Sequence, residues 1–104
     1  MPSICKMEYR ISEKALKDIE DIWLHTLENW SVEQADRYYN LIFDEIQFIA
    51  THFDQGKNYG NVREGYRYSK VKSHLIFYRK SNDKTVEIIR VLHEKMDILN
   101  RLDD

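Results

Sequence analysis

The period of the apolar residues changes once along this chain, and that change fixes what the chain can fold into. Up to Phe53 apolar side chains recur three and four residues apart; from Tyr66 they recur at every second residue. A chain that presents helical stripes first and pleated faces afterwards buries both by packing helices against a sheet. Within the helical part, Ser12 has the chemistry of an N-cap, and from there the stripe runs Ala15, Leu16, Ile19, Ile22, Trp23, Leu27 and Trp30. Lys14, Lys17, Asp18, Glu20, Asp21 and Glu28 fall between, so the spacing predicts a helix over 13–30. Ser31-Val32-Glu33-Gln34 fits a capping box and opens a second helix, with a stripe of Ala35, Tyr38 or Tyr39, Ile42, Ile46, Ile49 and Phe53. Trp30 and Ser31 leave no room for a linker, so the helices fold back as an antiparallel hairpin.

Met7, Tyr9 and Ile11 alternate with Glu8, Arg10 and Ser12, which predicts a short first strand at an edge or beside a later strand. Residues 54–65, with Gly56, Asn58, Gly60, Asn61 and Gly65, read as a loop. Tyr66–Val71, His74–Lys80 and Thr85–His93 are strand candidates, the last two joined by the turn residues Ser81-Asn82-Asp83-Lys84. The apolar run of Val86, Ile88, Ile89, Val91 and Leu92 marks a central strand, and residues 97–104 a short tail with one amphipathic turn through Ile98, Leu99 and Leu102. The expectation is one α+β domain over 1–104: an N-terminal strand and an antiparallel helix hairpin packed on a small, mainly antiparallel sheet of four strands.

At 104 residues, such a domain buries roughly 65% of its unfolded surface and needs no staple. The single Cys5 forms no internal disulfide, which points to a reducing compartment, and it has no flanking base that would assign it a role. Cys and His lack metal-ligand spacing, the glycines form neither phosphate-cradling pattern, and no apolar run reaches signal-peptide or membrane-span length. The expectation is a cytoplasmic protein without metal, cofactor or membrane contact. Charge is unevenly spread: residues 1–56 carry five basic and eleven acidic groups, residues 57–104 eleven basic and seven acidic. Between Lys57 and Lys80 stand Lys57, Arg63, Arg67, Lys70, Lys72, Arg79 and Lys80 against Glu64 alone, a face suited to nucleic acid or to an acidic protein as well as to solvent.

Three runs, in order, carry a resemblance: Arg63-Glu64-Gly65-Tyr66-Arg67, then Ser73-His74-Leu75-Ile76-Phe77-Tyr78-Arg79, then Ile89 to Ile98 with the sequence IRVLHEKMDI. With the opening Tyr9-x-Ile11-Ser12-x-x-Ala15-x-x-Asp18-Ile19, Trp30 and Ala35, they make the chain resemble the ParE family of type II toxin-antitoxin toxins over nearly its whole length. The resemblance implies the RelE/ParE fold, a ParD-like antitoxin that neutralises the toxin by direct binding, and DNA gyrase as the target whose inhibition stops replication. It implies a binding protein and not an enzyme, with no sequence-specific contact to nucleic acid.

The same superfamily holds RelE-like ribonucleases that cut messenger RNA on the ribosome, and fold alone does not separate the two. RNA cleavage by the 2'-hydroxyl needs a base, cations for the phosphorane and an acid for the leaving oxygen. Arg63, Arg67 and Arg90 supply cations, but after Leu92 the only acid of the type the RelE-like pattern requires is His93, since residues 94–104 contain no Tyr or His. In a regular strand Arg90 and His93 point to opposite faces. Arg63, Arg67, Arg79, Arg90, His93, Met96 and Asp97 are therefore candidates for contact with target or antitoxin, not for catalysis. Each carries a structural reading as well: Arg90 pairs with a carboxylate such as Asp97, and His93, Met96 and Asp97 form a local cap that fixes the tail. Gly65 between the first two arginines marks a required backbone shape, and His25, His52 and His74 read as satisfied surface or core histidines. An antitoxin that masks the basic face bears several Asp or Glu in its C-terminal segment, bound as an added strand or as a helix.

Overall fold

The structure, a computed structural model, describes residues 9–60, 63–82 and 84–102. Cys5, the Met7–Glu8 start of the first strand, Asn61, Asp83 and the two final aspartates lie outside the described residues. The elements are β1 (Tyr9–Ile11), α1 (Glu13–Asn29), α2 (Val32–Thr51), β2 (Lys57–Asn58), β3 (Arg67–Val71), β4 (His74–Lys80), β5 (Val86–His93) and α3 (Ile98–Leu102), with a 3-10 turn over Phe53–Gln55. The sheet has five strands in the order β1-β5-β4-β3-β2, with β1 parallel to β5 and the other pairs antiparallel. The fifth strand, β2, comes from the segment expected to be loop throughout; its two residues pair with Arg67 and Tyr68.

Both helices start at the serines read as N-caps. Ser12 Oγ accepts from Ala15 N at 3.0 Å, and Ser31 Oγ accepts from Gln34 N at 3.1 Å, satisfying amides that a helix start leaves unpaired. Ser12 also stitches strand to helix, because its N–H donates to Ile88 O and its hydroxyl to Ile89 O. The helix hairpin covers one face of the sheet. Ala15, Ile19, Ile42, Ile46 and Ile49 bury there against Ile76, Tyr78, Val86, Ile88 and Val91, with Tyr38 and Phe53 packed alongside. Of the two candidate tyrosines it is Tyr38 that turns inward, while Tyr39 is exposed. The α1 stripe is narrower than its spacing predicts: Leu16 and Trp30 are 45% and 73% exposed, because α1 lies over the open side of β5 and its two margins find no partner. On the other face Phe77 and Leu92 form a smaller cluster with Leu102 of α3.

β5 contains an irregularity that regular alternation does not foresee. Phe77 pairs with Arg90 and Tyr78 with Ile88, so Ile89 is an extra residue in the ladder, a β-bulge. The bulge lets β5 bury Ile88 and Val91 on the helix side while Leu92 faces the smaller cluster.

Gly56 is dictated by packing. A Cβ built there lies 1.8 Å from the Tyr78 hydroxyl, which donates to Phe53 O at 2.9 Å from a fully buried ring. Gly56→Ala is therefore expected to destabilise the fold by about 1–3 kcal/mol through overpacking. Urea denaturation reads this as a lowered midpoint.

Candidate functional site

The described structure holds every nominated arginine by partners within the chain. Arg90 is the most enclosed. Its Nε and Nη2 donate to Asp18 Oδ2 and Oδ1 at 2.7 and 2.9 Å, its Nη1 donates to the Arg101 carbonyl at 2.8 Å, and the two side chains of the pair are only 11% and 13% exposed. The partner carboxylate is Asp18 of α1, which corrects the expectation of Asp97. Asp97 instead accepts from Asn100 Nδ2 at 2.6 Å at the start of α3. Asp18 Oδ2 also accepts from the Val91 N–H at 3.0 Å, so one carboxylate closes the sheet edge where β1 ends.

Arg79 belongs to a ladder across three strands. Glu87 accepts from Arg10 Nη2 at 2.9 Å and from Arg79 Nε at 3.0 Å, and those two hydrogen bonds, Arg10's first, hold its carboxyl below the ordinary glutamate value. Arg67 donates to the Gly56 carbonyl at 2.8 Å, lies 3.6 Å from Asp54 Oδ1 and sits over the Phe53 ring. Arg63 lies over the Tyr66 ring at 5.8 Å, in a turn where Gly65 has φ +80°, the backbone shape its position predicts. Arg63, Arg67 and Arg79 do not line the hollow that Arg90 lines and do not converge with it.

What does converge lies along α1. A hollow of about 730 Å³ opens between α1 and the end of β5, and both Arg90 and His93 line it, although the regular ladder from His74↔His93 to Phe77↔Arg90 sets them on opposite faces of β5, as alternation implies. Arg90 reaches the hollow because its guanidinium runs along the sheet edge to Asp18 of α1. An adjoining hollow of about 660 Å³ runs on towards α2, and the two share His25, Thr26, His74 and His93. The shared floor is a polar relay. His74 and His93 face each other across β4 and β5 with rings 5.1 Å apart, and the Tyr38 hydroxyl lies 3.0 Å from Val71 O and 2.6 Å from His74 Nδ1. One hydroxyl proton serves one acceptor, so Tyr38 donates to Val71 O and His74 Nδ1–H donates to Tyr38, which assigns the neutral tautomer of His74. Burial, then the neighbouring His93 and His25, lowers His74 to about 4.

His93 Nδ1 accepts from Lys95 N at 3.1 Å and its carbonyl accepts from Met96 N at 3.0 Å, so His93 and Met96 of the expected cap meet beside the first hollow, while Asp97 bonds Asn100 instead. Apart from Lys72 and Arg90, sequence reasoning missed the cations of this groove. Lys14, Arg37, Lys72, Lys95 and Arg101 line it from separate elements, and their side chains make no ion pair among the described residues. It also missed Leu41, exposed one position off the α2 stripe, and the role of exposed Trp30; an apolar residue off a stripe was the available signal. Among the described residues, no group of His, Cys, Asp and Glu is arranged to hold a metal ion, and no helix is long and apolar enough to cross a membrane.

The family model described as "ParE toxin of type II toxin-antitoxin system, parDE" matches residues 9–98. The chain is 43% identical over 89 residues to Toxin ParE1 of Caulobacter vibrioides, spanning 86% of this chain and 91% of that protein. It is 34% identical over 90 residues to Toxin ParE1 of Mycobacterium tuberculosis, spanning 86% and 92%. In fold it is similar to a solved chain titled "Chromosomal ParDE TA system from P. aeruginosa", with a TM-score of 0.74 at 19% identity over 86% of this chain and 97% of that one.

Two outcomes are expected from this geometry. Asp18→Ala leaves the Arg90 guanidinium and the Val91 amide unpaired at a nearly dry edge and costs about 3 kcal/mol in denaturant unfolding, whereas Arg79→Ala in the exposed ladder costs under about 1 kcal/mol. His74 has a folded value below its unfolded one, so its contribution is complete above about pH 6.5 and is lost as pH falls towards about 4. A melting-temperature series across that window is expected to fall with acid in the wild type and to flatten in His74→Gln.

Proposed function

This chain belongs to the family of ParE toxins of type II toxin-antitoxin systems, and on that premise we propose that it stops bacterial growth by inhibiting DNA gyrase in the cytoplasm and is neutralised by direct binding of a ParD-like antitoxin. The whole chain is read as one toxin domain. The observation that carries the reading is the match over residues 9–98, together with relatives named as toxins at 43% and 34% identity over most of both chains. The arginine geometry agrees with it. A ribonuclease needs cations free to meet a phosphorane, and Arg67, Arg79 and Arg90 are spent on Gly56 and Asp54, on Glu87, and on Asp18. These arginines hold the frame that presents a binding surface.

A histidine pair does favour keeping the second reading in the experiment. His74 and His93 stand beside Lys14 and Lys95 in one hollow, groups of the kind that RelE-like cleavage of messenger RNA uses. Purified protein is added to a gyrase supercoiling reaction and, in parallel, to a translation reaction whose message is probed for cuts. The expected result is accumulated cleaved DNA, or lost supercoiling, with intact message. Cut message with normal supercoiling overturns the gyrase reading and makes His93 a catalytic candidate.

A further inference from the structure

We propose that the sheet face turned away from the helix hairpin is the surface through which this chain grips its target, and that it takes an acidic protein surface entered at the hollow between Lys57 and Lys70. This rests on the toxin reading and assigns the target contact a surface. Three observations lead to it.

The first is placement. The register sets Lys57, Tyr68 and Phe77 side by side across β2, β3 and β4, with Lys70 beside Leu75 in one flanking row and Arg79, Glu87 and Arg10 in the other. Phe77, Leu75 and Tyr68 belong to the smaller cluster, so these rows face away from α1 and α2. α3 reaches that face through Ile98 and Leu102, and Tyr59, Tyr66 and Tyr68 stay partly exposed beside it. The Arg63 guanidinium lies over the Tyr66 ring, so the face presents the tyrosine and arginine that protein interfaces favour.

The second is charge. α1 and α2 together carry nine carboxylates against Lys14, Lys17 and Arg37. On the far side Arg10, Lys57, Arg63, Lys70 and Arg79 stand against Glu64, Glu87 and Glu94, so the chain is acidic on one side and basic on the other. An acidic partner is steered to the basic side and repelled from the hairpin. The third is shape. A hollow of about 380 Å³ opens between Lys57 and Lys70, with Tyr68 and Leu75 in its wall. Glu94 is drawn to Lys70 at 2.9 Å, while Lys57 makes no ion pair among the described residues. A side chain entering there meets an apolar wall and one uncompensated cation, which suits a carboxylate on an apolar stem.

Two other occupants fit less well. Nucleic acid calls for a track of cations and for rings laid open to bases. Here Arg10, Arg79 and Lys70 each meet a carboxylate, and Tyr59 stands edge-on to both Tyr68 and Phe77. The acidic hairpin of a second copy complements the face in charge, but that contact joins unlike surfaces and leads to a ring or an open filament.

The test uses purified full-length chain and purified gyrase without DNA, with affinity read by calorimetry and supercoiling inhibition read in parallel. Lys57→Glu combined with Lys70→Glu is expected to weaken gyrase binding by about thirtyfold at physiological salt and to flatten its salt dependence, and Tyr66→Ala to weaken it by about tenfold. Lys17→Glu, the same charge reversal on the hairpin, is expected to bind as wild type. Thermal melts establish that each variant is folded. Unchanged gyrase affinity in both face variants overturns the assigned surface while the toxin reading stands, and equal weakening by Lys17→Glu overturns it as an effect of net charge. Binding to a DNA oligonucleotide alone that the lysine variant loses makes the occupant nucleic acid instead, and lost antitoxin binding with gyrase affinity intact makes it the antitoxin. Wild-type chain that neither binds gyrase nor lowers supercoiling overturns both this inference and the reading beneath it.

Discussion

The Asp18 carboxylate ties three elements together at one point. Its oxygens take both the Nε and Nη2 of Arg90 and the Val91 amide, while the third arm of the same guanidinium reaches the Arg101 carbonyl of α3. A helix, the central strand and the C-terminal helix are thus tied around one sheet edge. The edge needs that tie because β1 is only three residues long and pairs with β5 no further than Ile88, so the rest of the strand would face water or another chain. The Ile89 bulge belongs to the same solution, since it shifts the register just where β1 stops and the carboxylate takes over. A nearly buried ion pair gains little net energy against a well-packed apolar substitute, but breaking it is costly. Its role here is to set geometry at a place where burial of apolar surface gives no direction.

The cations divide by function along the same line. Arg67 and Arg79 fix parts of the chain that would otherwise be loose: Arg67 fastens the 3-10 turn and Gly56 to β3, and Arg79 shares Glu87 with Arg10 across three strands. Arginine suits this because its planar fork donates in several directions at once. Lys14, Arg37, Lys72, Lys95 and Arg101 around the groove have no ion-pair partner among the described residues. A count of positive charge along the sequence does not distinguish these two populations, because membership depends on which carboxylate or carbonyl the fold brings near.

That difference marks how far the residues themselves could be read. The helix hairpin, its two serine caps, the inward Tyr38, Ile42, Ile46 and Ile49, and the three long strands follow from local periodicity and capping chemistry, which a linear sequence displays directly. The cap formed by His93 and Met96 was also readable, since its partners lie within three residues. The two-residue β2 was not, because its strand state comes from pairing with Arg67 and Tyr68 and not from its own residues Lys57 and Asn58. Nor was the Asp18–Arg90 pair, whose members stand 72 residues apart. The groove that Arg90 and His93 both line was not readable either, because Arg90 reaches it through its pairing with Asp18 at the sheet edge and not through strand alternation. Family resemblance supplied the class of protein, and tertiary contacts supplied the surface.

The groove itself follows from economy of chain. Two helices of 17 and 20 residues cover one sheet face, but the ends of β4 and β5 at His74 and His93 stay only partly buried and line the two hollows. A larger domain would close that gap with another helix; here α3 is five residues long and packs on the opposite face through Leu102. Open apolar surface beside a sheet edge invites self-association, and natural proteins guard such places with charge. Lys14, Lys72, Lys95 and Arg101 stand where that guard is needed. The same cations stand beside the exposed Trp30, Leu41 and Met96.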